Sequence, residues 1–302
     1  EIRKDFDLTE AVVYLPSDSR SNAKKFLKLV DPDVVFFVKY EFWSSYIFEA
    51  KKRNIPLYGI SVILRSDQIY FKPYGSYFRK ILKAFDHLYV QNEKTAQLLE
   101  SIGIQNFSVS GDTRYNRVVE IAESSVENEK IAEFKGEHKL LILGSVWKED
   151  MEVLSDFLKR ELPDTYKVLI APHHIDEESI HTITKHLQQE DIVHYTNYDD
   201  GDQSMKFLIL NTMGNLASAY RYGDIAYVGG GFKTGLHNTL EPASHGLPVI
   251  FGPNYKKFNE ATLLIEQGFA RSVKNSKELI AAFQAFENVN SFKINAFIKK
   301  QD

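Results

Sequence analysis

The stretch that decides the fold is Tyr227-Val228-Gly229-Gly230-Gly231-Phe232-Lys233-Thr234-Gly235-Leu236-His237-Asn238-Thr239-Leu240-Glu241-Pro242. An apolar run ends in three glycines, a fourth glycine follows, and a helix is predicted to begin near Thr239, its candidate N-cap. Glycines let a backbone approach a ligand closely, and the free N–H groups at a helix start favour an anion such as phosphate. Glu241 has two oxygens that could accept hydrogen bonds from two ribose hydroxyls. The stretch therefore predicts a strand–loop–helix unit with the groups that a nucleotide requires.

The same alternation extends through the chain on both sides of this stretch. We predict strands at residues 34–38, 57–62, 87–91, 107–110, 139–143, 166–171, 206–210, 224–229 and 248–251. We predict helices at residues 43–53, 75–84, 93–102, 147–160, 177–189, 215–222, 256–268 and 276–286. Apolar strands that alternate with helices predict an α/β fold with parallel sheets, in which ligands bind at the carboxyl ends of strands.

Length and composition indicate two globular domains. The chain has 302 residues, of which 43% are hydrophobic and 26% charged, and this excludes a disordered or fibrous protein. The net charge of -4 argues against a nucleic-acid binder, and the absence of cysteine excludes disulfides and thiolate metal sites. No stretch of the sequence reaches the ~18 to 20 apolar residues of a membrane span.

A segment at residues 120–138 interrupts the alternation and is rich in Glu, Ser and Lys. It is typical of a solvated helix and a hinge, so we place a domain boundary there. The predicted domains are residues 1–122, the remainder of an acceptor-binding domain, and residues 123–302, a donor-binding domain. The last helix is a candidate to pack back on the first of them.

The opening stretch continues as Ala243-Ser244-His245-Gly246-Leu247-Pro248-Val249-Ile250-Phe251-Gly252-Pro253, and with it the sequence resembles the nucleotide-sugar-binding half of a GT-B glycosyltransferase. Four further segments make it similar to the transferases of 3-deoxy-D-manno-octulosonic acid (Kdo) in lipopolysaccharide synthesis. These segments are Lys39-Tyr40-Glu41-Phe42-Trp43, Gly111-Asp112-Thr113-Arg114-Tyr115-Asn116-Arg117-Val118, Thr212-Met213-Gly214-Asn215-Leu216 and Gly252-Pro253-Asn254-Tyr255-Lys256-Lys257-Phe258-Asn259-Glu260. The resemblance implies the GT-B fold, two Rossmann-like domains whose parallel sheets face each other across a cleft.

Two charged residues become candidates for catalysis through this resemblance. Glu41 follows the first predicted strand, and the family pattern implies an acid that stabilises the transition state. Arg114 follows the fourth predicted strand, and the family pattern implies a cation that supports the charge developing during transfer. From the residues alone, an exposed Glu at a strand end and a surface salt bridge of Arg114 remain open alternatives.

The resemblance also implies a binding site for CMP. Its residues would be Pro172, His173, Met213, Gly214, Asn215, Asn238, Thr239, Leu240 and Glu241, with Gly230, Gly231 and Ser145 as candidates for a donor loop. The family usually has Arg where His173 stands, so a permanent charge is replaced by a titratable one. It usually has Glu where Asn215 stands, and here Asn215 could instead cap the next helix. Backbone contacts to the nucleotide would survive both differences.

The activity that the resemblance implies is an inverting transfer of Kdo from CMP-Kdo to a lipid A precursor (lipid IVA), with no metal or cofactor. The protein would act at the cytoplasmic face of the bacterial inner membrane, and the Tyr- and Phe-rich run at residues 69–78 could meet a lipid headgroup there. The family's general base is a Glu in a Gly-Glu-like motif that has no match here, since Glu1 and Glu10 have a different context. We therefore expect that the chain starts after this motif, binds nucleotide and transfers slowly or not at all.

Two other readings of the sequence remain open. The glycine-rich loop and the Glu241-Pro242 helix start also suit another GT-B enzyme, a transferase or 2-epimerase that uses a UDP-sugar. A non-catalytic scaffold that binds a nucleotide or a lipid headgroup would account for the missing base, His173 and Asn215. A dinucleotide-dependent dehydrogenase is disfavoured because no Gly-x-Gly-x-x-Gly follows a predicted strand.

Overall fold

The structure, a computed structural model, describes residues 9–187, 191–233, 235–287 and 289–301. The chain forms two compact units, Glu1–Thr113 and Arg114–Asp302. Each unit contains a parallel β-sheet whose strands alternate with helices along the chain. The predicted α/β class with parallel sheets is therefore confirmed.

The first unit is built on a four-stranded sheet whose strands stand in sequence order. The strands are β1 Val35–Val38, β2 Leu57–Val62, β3 His87–Val90 and β4 Phe107–Val109. The helices are α1 Arg20–Val30, α2 Ser44–Lys52, α3 Ser76–Leu82 and α4 Glu93–Ser101, and a 3-10 turn lies at Ile69–Phe71.

One face of this first sheet carries the core of the unit. Helices α1 to α4 all contribute to a single buried cluster, which includes Leu27, Ile47, Leu82, Leu99, Phe37, Leu57 and Leu88. On β1, Phe36 and Val38 alternate with the buried Phe37 and are 54% and 51% exposed. The helices therefore cover one face of the sheet, and within the described residues the opposite face is apolar and open to solvent.

The second unit is built on a seven-stranded parallel sheet in the order β11-β10-β9-β5-β6-β8-β7. The strands are β5 Lys139–Val146, β6 Tyr166–Pro172, β7 Ile192–His194, β8 Phe207–Ile209, β9 Ile225–Val228, β10 Val249–Phe251 and β11 Ala270–Ser272. The helices are α5 Thr113–Glu123, α6 Glu129–Lys135, α7 Lys148–Arg160, α8 Glu177–Leu187, α9 Leu216–Ala219, α10 Leu240–Ser244, α11 Asn259–Glu266, α12 Ser276–Phe286 and α13 Ser291–Lys300. Further 3-10 turns lie at Tyr195–Asn197, Asp200–Ser204 and Tyr220–Tyr222.

The second sheet is covered on both faces. Along the central strand β5, Leu141 and Leu143 enter one buried cluster with side chains of α7, α8 and α12. Leu140 and Ile142 alternate with them and enter a second cluster with side chains of α6 and α9. A strand buried on both sides must be apolar at successive positions, which explains the continuous apolar run that predicted β5.

The boundary between the two units follows Thr113, whereas the sequence predicted it at residue 122. Helix α5 accounts for the difference, because its Tyr115, Val118 and Val119 are buried in a cluster of the second unit. The last helix, α13, also belongs to this unit and buries Ile294 and Ile298 in the same cluster. The expectation of a solvated hinge followed the charged residues of the segment and overlooked its apolar helical face.

Several helix starts follow local capping rules. The Asn92 side chain accepts a hydrogen bond from Thr95 N at 2.9 Å before α4, and Asn275 accepts one from Glu278 N at 2.9 Å before α12. Such caps satisfy N–H groups that have no partner within the helix. In the described part of the chain, no helix combines the length and the apolar character that crossing a membrane would need.

The elements that were predicted differ from the structure mainly at their ends, but helices α1 and α13 were not predicted. Strands β7 and β11 were not predicted, because each has only three residues and lies at an edge of the second sheet. The helix predicted at residues 215–222 is the short α9 followed by the 3-10 turn Tyr220–Tyr222. Helix α8 is described to Leu187, and the predicted positions 188 and 189 lie outside the described residues.

Candidate functional site

The second sheet brings most of the predicted donor residues to one end, where the carboxyl ends of its strands lie. Strands β5, β6, β8 and β9 are neighbours in a parallel arrangement, so their carboxyl ends lie together. Pro172 is the last residue of β6, and His173 follows it directly. The triplet at residues 213–215 follows β8, and the glycine loop follows β9. The residues predicted from the sequence therefore lie at the carboxyl end of the sheet, where α/β sheets bind ligands.

The turn after β5 has an irregular backbone at Ser145. The pairing of β5 with β6 shifts register between Leu143 and Val146, and Ser145 has a φ of 54°. This left-handed conformation costs a residue with a side chain about 1–2 kcal/mol relative to the ordinary helical region. Strained backbone of this kind is concentrated at functional sites, although the strain alone assigns no function.

Asp150 joins this turn to the glycine loop. Its carboxylate is fully buried and accepts hydrogen bonds from Trp147 N at 2.9 Å, Gly230 N at 3.0 Å and the Tyr227 hydroxyl at 2.8 Å. Gly230 has a φ of 88°, a conformation that glycine adopts without strain. Burial raises the pKa of Asp150, and these hydrogen bonds act against that shift. A single carboxylate thus positions the first turn of α7 and the backbone of the glycine loop.

Three aromatic side chains stack above this buried carboxylate. The rings of Trp147 and His173 are 4.1 Å apart between centroids, and those of His173 and His237 are 4.5 Å apart. The Trp147 indole N–H donates to His237 Nε2 at 3.0 Å, which requires that nitrogen to be unprotonated. Burial lowers the pKa of His173, helped by His237, His174 and Lys233, and burial also lowers the pKa of His237. Both imidazoles are therefore disposed to be neutral.

A cavity of about 150 Å³ opens beside this stack. Its lining includes Trp147, His173, His174 and Lys233. The Lys233 ammonium lies 4.3 Å from the centre of the Trp147 ring and 3.5 Å from the Glu149 carboxylate. The cavity therefore offers a flat aromatic wall and two lysines, Lys148 and Lys233, next to the glycine loop.

The helix after the glycine loop starts where the sequence predicted, with Thr239 as its N-cap residue. The side-chain hydrogen bond at this start comes from Asn238 instead, because Leu240 N donates to Asn238 Oδ1 at 3.1 Å. The Thr239 side chain makes no capping bond, and its buried hydroxyl has no hydrogen-bond partner in the structure. Asn238 Nδ2 also donates to Glu241 Oε1 at 2.9 Å. Burial raises the pKa of Glu241, and the hydrogen bond from Asn238 opposes this change.

The triplet Met213, Gly214 and Asn215 lies at the rim of a second cavity of about 390 Å³. Met213 is 79% exposed, and Gly214 and Asn215 line the cavity together with residues of α5 and the segment after it. Asn215 is the N-cap residue of α9, but its side chain donates to Thr212 Oγ1 at 2.8 Å and makes no capping bond. The site predictions for this triplet remain predictions.

Arg114 forms a two-point ion pair with Glu260. The guanidinium donates to Glu260 Oε1 at 2.6 Å and Oε2 at 3.0 Å, and the Glu260 side chain is only 6% exposed. The pair links the first turn of α5 to the first turn of α11 within the second unit. Bidentate pairs are strong and fix geometry, so the guanidinium is held in one orientation.

Glu41 lies in the first unit, in the loop between β1 and α2. It is exposed, and its N–H donates to the carbonyl of Val38 at 3.4 Å. Lys39 in the same loop has a φ of 59°, so the chain turns sharply as it leaves the strand. This placement agrees with a residue at the end of a strand, and its role in catalysis stays a prediction.

The sequence analysis overlooked four residues that organise the site, namely Asp150, Trp147, His237 and Glu260. A local signal existed for Asp150, because an acid three residues after a helix N-cap commonly accepts a hydrogen bond from the N-cap backbone. His237 stood within the glycine-rich stretch, but its stacking depends on residues from two other strands. Glu260 lies 146 positions from Arg114, a separation that no periodicity reveals.

Structural comparison places the fold in a known class. The chain superposes on UDP-GlcNAc 2-epimerase from Neisseria meningitidis with a TM-score of 0.61 at 14% identity, covering 93% of this chain and 74% of that one. At this identity the likeness concerns the fold alone. Two parallel α/β units with a glycine-rich loop at the carboxyl edge of the second sheet define the GT-B class, and the predicted fold is confirmed.

Sequence comparison shows which proteins this chain is similar to. Residues 1–117 match the family model described as 3-deoxy-D-manno-octulosonic-acid transferase (kdotransferase). The 3-deoxy-D-manno-octulosonic acid transferase of Rickettsia prowazekii is 26% identical over 92% of this chain, and that of Aquifex aeolicus is 28% identical over 91%. The resemblance to the Kdo transferases is thus confirmed over most of the chain. The chain spans 61% and 71% of the lengths of these two relatives.

Proposed function

We propose that this chain carries a donor-binding unit and an acceptor-binding unit of an inverting Kdo transferase. The reaction moves Kdo from CMP-Kdo to a hydroxyl of a lipid A precursor such as lipid IVA. The observation that carries the proposal is that the glycine loop with Glu241 and the 213–215 triplet both follow strands of the second sheet, at the carboxyl end of that sheet. The family similarity indicates which nucleotide sugar such an edge accepts.

In this proposal Glu241 accepts hydrogen bonds from the ribose hydroxyls of CMP. Its half-buried carboxylate is fixed by Asn238 and keeps one oxygen free of that bond. Because burial raises its pKa, protonation at low pH removes an acceptor and weakens nucleotide binding. The backbone of residues 213–215 and the Pro172-His173 turn supply the remaining contacts to CMP.

The phosphate needs little positive charge, because CMP carries one phosphate and no pyrophosphate. His173 is disposed to be neutral, and the Arg114 charge is largely balanced by Glu260. Lys233, which also pairs with Glu149, and the N–H groups of the glycine loop add to the stabilisation that Arg114 gives the leaving group. The donor loop formed by Gly230, Gly231 and Ser145 lies against this group.

The transfer step proceeds through a state with oxocarbenium character. The acceptor hydroxyl attacks the anomeric carbon of Kdo from the face opposite the phosphate, its proton passes to a base, and CMP departs. Glu41 stabilises the cationic sugar, and Arg114 supports the negative charge that develops on the phosphate. We assign no residue as the base.

A calorimetric titration with CMP, UMP and UDP tests the donor assignment. We expect CMP to bind best, and the Glu241→Gln variant to weaken binding by about tenfold or more, because a hydrogen bond to a charged group is lost. Glu266→Gln, at the exposed end of α11, is the matched control and should bind like the unmodified protein. Preference for UDP would favour a UDP-sugar enzyme, and no binding of any of the three would remove the donor site.

Transfer itself is tested with CMP-Kdo and a lipid A precursor, followed by mass spectrometry of the lipid. We expect Glu41→Gln to lower kcat by roughly 10²- to 10³-fold, the range for loss of a transition-state stabiliser, with CMP affinity unchanged. Glu100→Gln, an exposed residue of the same unit, serves as the control. A full rate with Glu41→Gln would exclude the residue from catalysis.

We also propose that the first unit associates peripherally with the cytoplasmic face of the inner membrane. Tyr74 and Tyr77 are 74% and 52% exposed, and Lys80 and Lys83 are exposed close by in α3 and after it. Amphipathic tyrosines and lysines suit a surface of anionic lipid headgroups. Cosedimentation with phosphatidylglycerol vesicles should fall for Tyr74→Ser and not for Tyr14→Ser, a residue of similar exposure. Equal binding of both variants would contradict this surface.

A further inference from the structure

Tyr220 occupies a central position that neither its sequence context nor the proposed function explains. It lies in the 3-10 turn between α9 and β9, and its ring is buried with Ile142, Leu216 and Leu247. Only 2% of the residue is exposed. The ring therefore belongs to the core, and the question concerns its hydroxyl group.

The hydroxyl of Tyr220 reaches the carboxyl end of β5. A Cβ atom placed on Gly144 would collide with this hydroxyl, and it would also lie 3.5 Å from Leu216 Cδ2. Gly144 thus leaves the space that the hydroxyl fills, directly before the strained Ser145. The same hydroxyl lies near the start of α9, which follows the 213–215 triplet.

A third segment of the proposed donor site acts on the same hydroxyl. Burial raises the pKa of Tyr220, and the negative charge of Glu241 raises it further. The hydroxyl therefore remains protonated at any physiological pH, and it lies within the electrostatic reach of the Glu241 carboxylate. The 144–145 turn, the segment after the triplet and Glu241 thus converge on one hydroxyl group.

Among the residues that the structure describes, no hydrogen bond from this hydroxyl to a protein group is found. A hydroxyl that has no protein partner and is not sealed from solvent is available to a ligand. The hydroxyl of Tyr166 is also unpartnered, but it is sealed from solvent at the amino end of β6. The Tyr220 hydroxyl is not among the sealed groups and lies at the edge where ligands bind.

We propose that the Tyr220 hydroxyl is a specificity-determining contact that donates a hydrogen bond to a ribose hydroxyl oxygen of the bound nucleotide. The inference rests on the proposed donor site. The same ribose hydroxyl can donate a hydrogen bond to Glu241. It would then act as an acceptor toward Tyr220 and as a donor toward Glu241. A phosphate oxygen is a poorer partner here, because its charge would lie close to the Glu241 carboxylate.

The test compares Tyr220→Phe with the unmodified protein in calorimetric titrations of CMP, 2′-deoxy-CMP and 3′-deoxy-CMP. We expect the variant to bind CMP about fivefold to tenfold more weakly, the effect of one neutral hydrogen bond. It should bind one of the two deoxy nucleotides as well as the unmodified protein does, because that ligand lacks the contacted oxygen. Thermal unfolding should be unchanged, since the lost hydroxyl has no protein partner.

Tyr166→Phe is the matched control, because it removes an equally buried and unpartnered hydroxyl at the opposite end of the sheet. It should leave all three affinities unchanged. Equal CMP binding by Tyr220→Phe and the unmodified protein would overturn the inference and leave the donor site standing. An equal loss for all three nucleotides would also overturn it, because the contact would not involve the ribose hydroxyls. If the unmodified protein binds no nucleotide, the proposed function fails and the inference fails with it.

Discussion

The two parallel sheets of this protein follow the same sequence pattern but are buried to different extents. Strand β5 buries successive residues on both faces, whereas β1 buries Phe37 and leaves Phe36 and Val38 about half exposed. Both strands are continuous apolar runs, which are typical of a sheet covered on two sides. The difference shows that an apolar run indicates how much surface a strand can bury, and the neighbouring elements decide how much it does bury.

Each of the two sheets also has a serine with positive φ on one strand, in a different environment. Ser61 on β2 and Ser145 on β5 both have positive φ, 55° and 54°, at a shift in strand register. Ser61 is fully buried, and its Oγ and carbonyl oxygen accept hydrogen bonds from Gln91 Nε2 at 3.0 and 3.1 Å. Ser145 is half-buried beside the glycine loop. In the first sheet, the Gln91 side chain satisfies the polar groups of the irregular backbone. In the second sheet, the irregular backbone borders the candidate site.

The largest expected effect tests the difference in burial directly. Leu143→Ala in β5 should lower the free energy of unfolding by about 2–5 kcal/mol, because it leaves a cavity in a fully buried cluster. Phe36→Ala in β1 should change it by about 1 kcal/mol or less, because the side chain is 54% exposed. Urea unfolding followed by circular dichroism measures both. Similar losses would show that the outer face of the first sheet is covered in solution.

A smaller effect is expected from the buried carboxylate that organises the second sheet's edge. Asp150→Asn should lower the free energy of unfolding by about 1–3 kcal/mol, because an amide offers one acceptor oxygen and directs N–H groups at other donors. Asp156→Asn, on the exposed side of the same helix, should be neutral. A neutral Asp150→Asn variant would mean that the glycine loop holds its shape without this carboxylate.

The same residue also gives the stability a defined pH dependence. Burial raises the folded-state pKa of Asp150 above its ordinary value of 3.8, so the folded protein binds this proton more tightly than the unfolded chain. Its contribution to stability is therefore full below pH 3.8 and declines as the pH rises through the raised pKa. The unmodified protein should gain stability relative to Asp150→Asn between pH 7 and 4.5. A constant difference would contradict the raised pKa.

The stacked aromatic cluster is expected to give a moderate spectroscopic effect. In a Trp43→Phe background, Trp147 is the remaining tryptophan, and its indole N–H requires His237 Nε2 to be unprotonated. Burial lowers the His237 pKa below 6.5, although the Asp150 charge opposes this, so the bond persists at neutral pH and is lost as the pH falls through the lowered pKa. Trp147 emission should therefore change with a midpoint below 6.5.

His237→Gln should remove most of this fluorescence transition. The control His138→Gln changes an exposed histidine outside the stacked cluster and should leave the transition intact. His173, His174, Lys233 and Asp150 are the other titratable groups of the cluster, so a residual transition in His237→Gln would report His173. A midpoint at or above 6.5 would show that the imidazole is not held in its neutral form.

The smallest expected effect compares the two strained serines. Ser145→Gly should raise the free energy of unfolding by up to about 1 kcal/mol, because it relieves the left-handed strain at a modest entropic cost. Ser61→Gly relieves the same strain but loses the hydroxyl that accepts from Gln91, so its net effect should be near zero or destabilising. Thermal unfolding of both variants decides the sign, and equal shifts would show that the Ser61 hydroxyl contributes nothing.

The success of sequence-based prediction varied with how local the signal was. Strand β2 and helix α12 were predicted at their observed bounds, because each is a long periodic segment with clear ends. Strands β7 and β11 were not, because three residues at a sheet edge carry too little pattern. The boundary near residue 113 was misplaced because α5 shows both a charged face and an apolar face, and only packing reveals which partner the apolar face has.

In the candidate site, residue types were predictable and their contacts were not. The sequence identified Thr239 as the N-cap residue, but it did not reveal that the Asn238 side chain accepts the hydrogen bond from Leu240 N. It identified Arg114 without its partner Glu260, and His173 without Trp147 and His237 stacked beside it. Each of these contacts joins residues from different strands or helices, so the order of strands in the sheet determines it.

The amino-acid sequence by itself determined that this protein is an α/β chain of the GT-B class, similar to Kdo transferases, with its candidate ligand-binding residues after the strands of the second sheet. Hydrophobic periodicity and turn preferences depend on a few neighbouring residues, so they can be recognised from the sequence alone. Only the tertiary structure decided that Asp150 positions the glycine loop, that Glu260 holds Arg114, and that Tyr220 reaches the end of β5. Those contacts arise when a sheet brings distant segments together, and their energies depend on burial that no single segment possesses alone.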